Sequence, residues 1–182
     1  MNRLAALSAQ ITAVLGRLAP LLPLMLRVTF AATLLGYYWK SAATKLLDRA
    51  EPGLRDWLTL ESGVYAQIFP RQFEAAGYDP DQLSVLHGAI AAAGTLAELL
   101  LPLLIIAGLM TRLAALGMIG FVVVQTATDV IGHGAMPGAL FDGRYQLLDE
   151  RLLWCALLAT LVVTGAGALS FDRLIAPRLH PA

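Results

Sequence analysis

Four long, nearly uncharged stretches constrain what this chain can fold into. They cover about residues 19–39, 83–109, 113–131 and 152–169. A helix of about 20 apolar residues crosses the hydrocarbon layer of a bilayer, and a helix satisfies its backbone hydrogen bonds internally, as lipid requires. The pattern therefore predicts an all-α integral membrane four-helix bundle, formed by a single domain over residues 1–182.

The composition agrees with a chain that lies mostly in lipid. Hydrophobic residues make up 58% of the sequence and charged residues 14%, whereas a soluble domain has about 45–50% and about 25%. The formal net charge is zero, so nothing in the composition points to a nucleic-acid partner. Cys155 is the single cysteine, which excludes an internal disulfide and a CxxC redox pair.

Two segments outside the four stretches are distinctive. Arg3, Gln10 and Arg17 recur every seven residues and share one face of a predicted N-terminal helix, opposite a leucine-rich face. Such an amphipathic helix is typical of segments that lie in the membrane interface. Between the first two spans, residues 40–82 form a long outer loop. Its pieces LRDWLTL and VYAQIFPRQF predict short helices along the membrane surface.

Four spans place both termini on the same side of the membrane. Asp172 is the only acid on that side, which carries five arginines: Arg3, Arg17, Arg112, Arg173 and Arg178. The opposite side carries the long loop, whose mixed charges dilute the positive-inside rule. Because arginines in short segments beside the spans favour the cytoplasm, we expect both termini to be cytoplasmic.

Two ionisable residues fall inside the apolar stretches, where an unpaired charge is costly. Arg27 lies in the first span and Glu98 in the second. At about 1.5 Å rise per residue, Arg27 lies roughly 12 Å and Glu98 about 15 Å from the cytoplasmic ends of their antiparallel spans. The similar depths predict a direct or water-bridged ion pair between them.

Two interpretations of this predicted pair stay open. In the first, Arg27 and Glu98 only fix the register of two helices, which is the best-attested use of a buried ion pair. In the second, they form a proton-accepting or head-group-binding site for a polar-headed lipophilic ligand, such as a quinone. The three histidines are too few and too weakly placed to argue for haem.

A second group of polar residues maps near the outer ends of the spans: Lys40, His87, Asp129, His133 and Asp149. Asp129 and His133 are four residues apart and share a helix face if the third span continues that far. With His87 they are weak candidates for a transition-metal site, since imidazole and carboxylate are suitable ligands. The alternative is ordinary interfacial polarity, with helix caps and exposed ion pairs. Gly132 and Gly134 weaken the helix there and favour the alternative.

Three segments carry a family pattern. LMLRVTFAATLLGYYWKSAATKL contains Arg27, followed by Lys40 and Lys45. LAELLLPLLIIAGLMTRLAALGM is the most specific segment, with a carboxylate in the second span, a glycine and a Thr-Arg turn into the third. GRYQLLDERLLW leads into the last span and places Asp149 at a typical acidic position. Together they resemble the DoxX family of small bacterial four-helix membrane proteins, except in the segment 40–82.

The resemblance implies a location in the bacterial inner membrane and an association with redox chemistry. DoxX-like proteins are named for similarity to a subunit of an archaeal quinol oxidase that oxidises thiosulfate. Others belong to membrane redox complexes or lie beside genes for copper-linked modified peptides. The resemblance therefore favours an accessory subunit of a quinone-linked or other redox membrane complex, with a membrane or periplasmic protein as its partner.

Two further functions stay open. One is a non-catalytic scaffold or maturation factor, in which residues 40–82 form the docking surface and the charged pair is structural. The other is a small transporter, metal-linked through Asp129, His133 and His87, although the sequence has no duplicated, interrupted helices of the transporter type. Since the sequence contains no self-sufficient catalytic constellation, a subunit is favoured over an independent enzyme.

Overall fold

The computed structural model describes residues 2–46 and 60–179, and the regular structure in these ranges is almost entirely helical. Apart from Leu60, the predicted surface helix LRDWLTL lies outside the described residues. We call the end of the bundle that carries residues 60–84 the loop end. The opposite end, which carries the tight turn at 108–110, is the turn end.

The first span is part of one long helical run. Its pieces are α1 (Asn2–Leu18), a 3₁₀ turn (Ala19–Leu21), α2 (Leu22–Phe30), a π-helical turn (Ala31–Leu35) and α3 (Gly36–Ala43). The predicted N-terminal helix is therefore present. The side chains of residues 3–18 are all exposed, so α1 contributes nothing to the protein core. Its location in the membrane interface remains a prediction.

The next two spans are joined as the sequence predicts, by a tight turn. α6 (Val85–Ala107) ends at Gly108, which adopts a left-handed φ of 68°. α7 (Thr111–Ala127) then begins, and a π-helical turn (Thr128–Gly132) extends it. The backbone N–H groups of Met110 and Thr111 donate to the carboxylate of Asp172 at 2.6 and 3.0 Å. This carboxylate satisfies the first amides of α7 and complements its dipole.

The last span lies earlier in the chain than the sequence predicts. α8 covers Leu147–Thr164, whereas the apolar pattern indicated about 152–169. A capping box of Gln146 and Asp149 starts the helix within its polar first turn. Gly165, with a φ of 75°, ends it. A short helix, α9 (Phe171–Leu179), follows.

Three helical segments of the described chain are long and apolar enough to cross a membrane: Arg3–Ala43, Val85–Ala107 and Thr111–Gly132. α8 has 18 residues but carries three charged side chains near its start, Asp149, Glu150 and Arg151. It packs along α7 and completes the bundle. The predicted fold class, an all-α membrane bundle, is confirmed.

The core forms where these helices meet. Phe30, Tyr38, Ile105, Met118 and Leu158 are fully buried and belong to one apolar cluster. They come from the first span, α6, α7 and α8 in turn. Every helix of the bundle therefore contributes a large side chain to the same core, which fixes how the four pack together.

Two short helices cover the loop end of α6. α4 (Gly63–Ile68) and α5 (Pro70–Ala75) form what we call the cap. The Phe69 ring, between the two helices, stacks edge-to-face on His87 in the first turn of α6, with centroids 4.7 Å apart. The first span stops at Ala43, the end of α3, and the cap lies beyond it at the loop end of the bundle. Glu98 lies opposite the end of the first span, where Ser41 contacts it.

Candidate ligand site

Glu98 forms a buried ion pair with Lys45. Lys45 Nζ donates to the two carboxylate oxygens at 2.8 and 2.7 Å. Both residues are nearly inaccessible, with 5% of Lys45 and 4% of Glu98 exposed. Ser41 completes the cluster, because its hydroxyl donates to Glu98 Oε1 at 3.1 Å and accepts from Lys45 Nζ at 2.7 Å. Hydrogen bonds of this kind make the burial of two charges tolerable.

The predicted pairing of Arg27 with Glu98 is wrong. The helix ends lie elsewhere than the hydropathy suggested: the second span ends at Ala107, and the first continues to Ala43. In this antiparallel register Arg27 faces the C-terminal turn of α6, roughly 11 Å along the axis from Glu98 at 1.5 Å per residue. Lys45, beyond the last turn of α3, is the cation within reach of the carboxylate.

At the turn end of the bundle, Arg27 instead donates hydrogen bonds to the backbone carbonyls of two separate segments. Its Nε donates to the carbonyl of Ile105 at 3.0 Å, and its Nη2 donates to the carbonyl of Ile106. Its Nη1 donates to the carbonyls of Ala166 and Leu169 at 3.1 and 2.6 Å. The carbonyls of a helix C-terminus have no intrahelical partners and attract cations. Arg27 therefore ties α6 to the segment that follows α8.

A groove of about 550 Å³ lies beside the Lys45–Glu98 pair. We call it the Glu98 groove. Its walls come from α6 and α7, and small residues line much of it: Ala93, Gly94, Ala97, Gly117 and Gly120. The rim residues Ile90 and Val124 are 44% and 63% exposed. The groove thus opens on the flank of the bundle, where a spanning protein faces lipid.

The polar atoms of the Glu98 groove collect near its loop end. Besides Ser41, Lys45 and Glu98, the polar lining residues are Tyr37, Gln67, Gln125, Thr128, Asp129 and His133. Gln125 Nε2 donates to the Tyr37 hydroxyl, whereas the buried Gln125 Oε1 has no partner within the described residues. The groove therefore has an apolar wall of small residues and a polar end, where Gln125 Oε1 has no donor among the described residues.

The predicted outer polar residues are distributed over separate contacts. Asp129 accepts from Arg151 Nη2 at 3.1 Å, and His133 Nε2–H donates to the Gln67 carbonyl at 2.9 Å. His87 Nδ1 is 2.8 Å from Ser84 Oγ on the far side of the cap. Asp149 belongs to the capping box of α8, and Lys40 is exposed. Asp129 and His133 both line the Glu98 groove, whereas Lys40, His87 and Asp149 do not.

The described part of the chain contains no group of three metal-ligating side chains close enough to hold an ion. Of the weak metal candidates, His87 stacks on Phe69, whereas His133 bonds to the cap at Gln67. The geometry therefore gives the metal-linked transporter hypothesis no support among these residues.

The sequence pattern placed Lys45 after the first span but did not make it a candidate for the site, and it did not single out Ser41 or Gln125. Lys45 follows the apolar stretch and resembles any interfacial lysine, so hydropathy does not distinguish it from Lys40. The helical spacing carries a signal, since Lys45 lies four residues after Ser41 and both therefore point to the same side. Whether Lys40 or Lys45 reaches Glu98 depends on where the helices end, and hydropathy locates those ends poorly.

These features define a class: a helical membrane protein with a buried ion pair at the polar end of a lateral groove. The chain belongs to the DoxX family, whose model matches residues 22–134. That match includes every lining residue of the Glu98 groove and stops before α8. No curated protein and no solved structure matches the chain.

Proposed function

We propose that this DoxX protein is an accessory membrane subunit that binds a quinone-type amphiphile in the Glu98 groove. The observation that carries the proposal is the position of the buried Lys45–Glu98 pair at the polar end of a lateral groove. Ligand pockets of about 300–1,000 Å³ with an apolar lining and a few convergent polar groups are the usual form of a small-molecule site. The groove fits this description.

The groove residues suit the two parts of such a ligand. The small side chains between α6 and α7 leave room for a flat ring and the start of an isoprenoid tail. At the polar end, the buried Gln125 Oε1 offers an acceptor to a ring hydroxyl. The N–H groups of Lys45 Nζ are donated to Glu98 and Ser41 and hold that carboxylate in place. Glu98 is the group that would hold a proton exchanged with the head group, through the Ser41 hydroxyl.

The protein's own residues supply positioning and proton handling, and a partner must supply the electrons. The sequence has one cysteine, so a thiol relay within this chain is excluded. We therefore assign the chain the role of a subunit, partnered by a membrane or periplasmic redox protein. We also propose that the bundle lies in the bacterial inner membrane with both termini in the cytoplasm, as the arginines beside the spans favour.

Mass spectrometry of the protein purified with its native lipid tests this proposal. Co-purifying quinones and proteins are quantified for wild type, Glu98→Gln and Ala93→Leu, which narrows the groove without touching the ion pair. Ala32→Leu is the matched control, because Ala32 is exposed on the first span and lies outside the groove.

The expected result is quinone bound to wild type and Ala32→Leu, and at least tenfold less in folded Glu98→Gln and Ala93→Leu. Absence of quinone from all four proteins, with one protein partner retained throughout, would reject the ligand site. That outcome would favour a scaffold or maturation factor, including one for a copper-linked modified peptide.

A further inference from the structure

A continuous apolar stripe runs along the first helical run, and we call it the heptad seam. Its members follow one another at alternating spacings of three and four residues: Leu4, Leu7, Ile11, Val14, Leu18, Leu21, Met25 and Val28. All eight residues are exposed, from 47% at Leu21 to 76% at Leu4. They fill the a and d positions of four consecutive heptads. Apolar heptads sustained over about three to four repeats indicate a coiled coil.

The heptad seam lies on the face of the helix that points away from the bundle. The residues of α2 that pack into the bundle are Pro23, Arg27 and Phe30, and all three are buried. In the same heptads they occupy positions c and f, which lie on the other side of a helix from a and d. The packing of the bundle therefore leaves the seam available to another helix.

The helix does not break where α1 meets the first span. Leu18, Leu21 and Leu22 keep right-handed helical dihedrals across the 3₁₀ turn. A helix that lies flat on the membrane has to leave this direction where the span enters the bilayer. α1 has 17 residues, so it is roughly 25 Å long at about 1.5 Å per residue. The unbroken helix favours cover by a second helix over cover by the membrane surface.

We propose that the heptad seam pairs with the seam of a second copy of this chain, as a parallel two-stranded coiled coil. Copies of one membrane protein insert with the same orientation, so the seams of two neighbours run parallel about a two-fold axis. Each large apolar side chain of the seam buries roughly 100 Å² on pairing. The eight together reach the about 800 Å² per partner of a standard specific interface.

The residues beside the seam agree with parallel pairing. The g positions hold Arg3, Gln10 and Arg17. In a parallel pair, g residues face e residues of the other copy, and the e positions here hold Ser8, Leu15 and Leu22. Arginine therefore does not face arginine across the pair. Residues 1–47 contain no Asp or Glu, so the pairing relies on apolar packing.

The seam is separate from the quinone site. The residues of the first helical run that line the Glu98 groove are Tyr37 and Ser41, which follow the seam in the chain. Pairing through the seam therefore needs no ligand in the groove. A failure of the quinone experiment leaves this proposal intact, and the reverse also holds.

Disulfide crosslinking of the full chain in membrane vesicles tests the pairing. In a Cys155→Ser background, Leu7→Cys and Leu21→Cys place thiols at two d positions. Ala9→Cys places one at an exposed f position of α1 and is the matched control. With copper phenanthroline and oxygen as oxidant, each d-position variant should form linked dimers at least tenfold faster than Ala9→Cys. Because each residue meets its own copy at both sites only in a parallel, in-register pair, linkage at both positions also fixes the orientation.

Charges placed in the seam give a second measurement. Leu7→Lys with Ile11→Lys puts two charges at d and a, whereas Ala6→Lys with Ala13→Lys puts them at exposed c positions. Residues 3–18 are exposed, so both variants should keep the fold of the bundle. Sedimentation equilibrium in density-matched micelles should show a dimer dissociation constant at least tenfold higher for the seam variant and unchanged for the control.

Three outcomes would overturn the proposal. The first is a wild-type protein that is monomeric in micelles, and the second is equal linkage rates for all three cysteine variants. The third is slow linkage at residues 7 and 21 while a water-soluble maleimide labels Ala9→Cys but not Leu7→Cys. That last pattern would place α1 flat on the membrane surface, with its apolar face in lipid.

Discussion

At the scale of single residues, two buried charges are stabilised in different ways. Arg27 donates to backbone carbonyls that a helix end leaves without partners, whereas Glu98 needs a second charged side chain and finds Lys45. Losing one member of a buried ion pair costs about 3–5 kcal/mol, while replacing both members by apolar residues is often close to neutral. The two charges should therefore respond differently to double substitution.

A double-mutant cycle tests this difference. Lys45→Met alone and Glu98→Leu alone should each lower the free energy of unfolding by about 3 kcal/mol, and the double variant should recover most of that loss. Arg27→Met with Glu98→Leu should be additive within about 0.5 kcal/mol, since the two side chains share no contact. Unfolding in mixed micelles measures all of these. Recovery in the Arg27 pair, without recovery in the Lys45 pair, would refute the observed pairing.

The sequence predicts that Arg27 and Glu98 are buried, and the structure bears this out, with 6% and 4% exposed. It does not predict their partners. A partner depends on where two helices end relative to each other, and hydropathy leaves those ends uncertain by about 2–4 residues. An error of one turn shifts a side chain by about 5.4 Å, which is enough to exchange one partner for another.

At the scale of elements, the lengths of the apolar stretches predict the helices, whereas local backbone chemistry sets where each helix ends. Four apolar stretches predict four helices, and each is present. The end of α8 was missed because apolar residues continue past Gly165, where the backbone leaves the helix. The cap was predicted only as short surface helices, because its packing on α6 depends on contacts between distant residues such as Phe69 and His87.

Gly108 is the element end most sensitive to substitution. A Cβ there would lie 2.6 Å from Ser170 Cβ and 2.8 Å from Arg27 Cζ, at a φ of 68°. Left-handed backbone and overpacking together predict that Gly108→Ala lowers the free energy of unfolding by about 2–4 kcal/mol.

Gly36→Ala is the matched control for that substitution. It lies within the first span, where nothing lies within 4 Å of the added Cβ, so it should be neutral or stabilise by up to about 1 kcal/mol. Thermal unfolding of both variants in the same micelles makes the comparison. Equal melting temperatures for the two would contradict the close packing at the turn end.

At the scale of the whole molecule, α7 separates two grooves with different chemistry. One face borders the Lys45–Glu98 pair, and the other borders a groove between α7 and α8 that is almost wholly apolar. The contact between Arg151 and Asp129 ties α8 to the extension of α7 at the loop end of the bundle. The Glu98 groove therefore places its polar groups toward the loop end, and the orientation of the bundle decides from which side of the membrane a partner reaches them.

That orientation is open to a direct test. The proposed topology puts the loop end outside the cytoplasm and α1 on the cytoplasmic side. In a Cys155→Ser background, Met136→Cys presents a thiol at the loop end, where Met136 is 87% exposed, and Gln10→Cys presents one on the polar face of α1. A membrane-impermeant maleimide should label Met136→Cys in spheroplasts and Gln10→Cys only after permeabilisation. The reverse pattern would invert the topology and move the polar end of the Glu98 groove to the cytoplasmic side, where a periplasmic redox partner could not reach it.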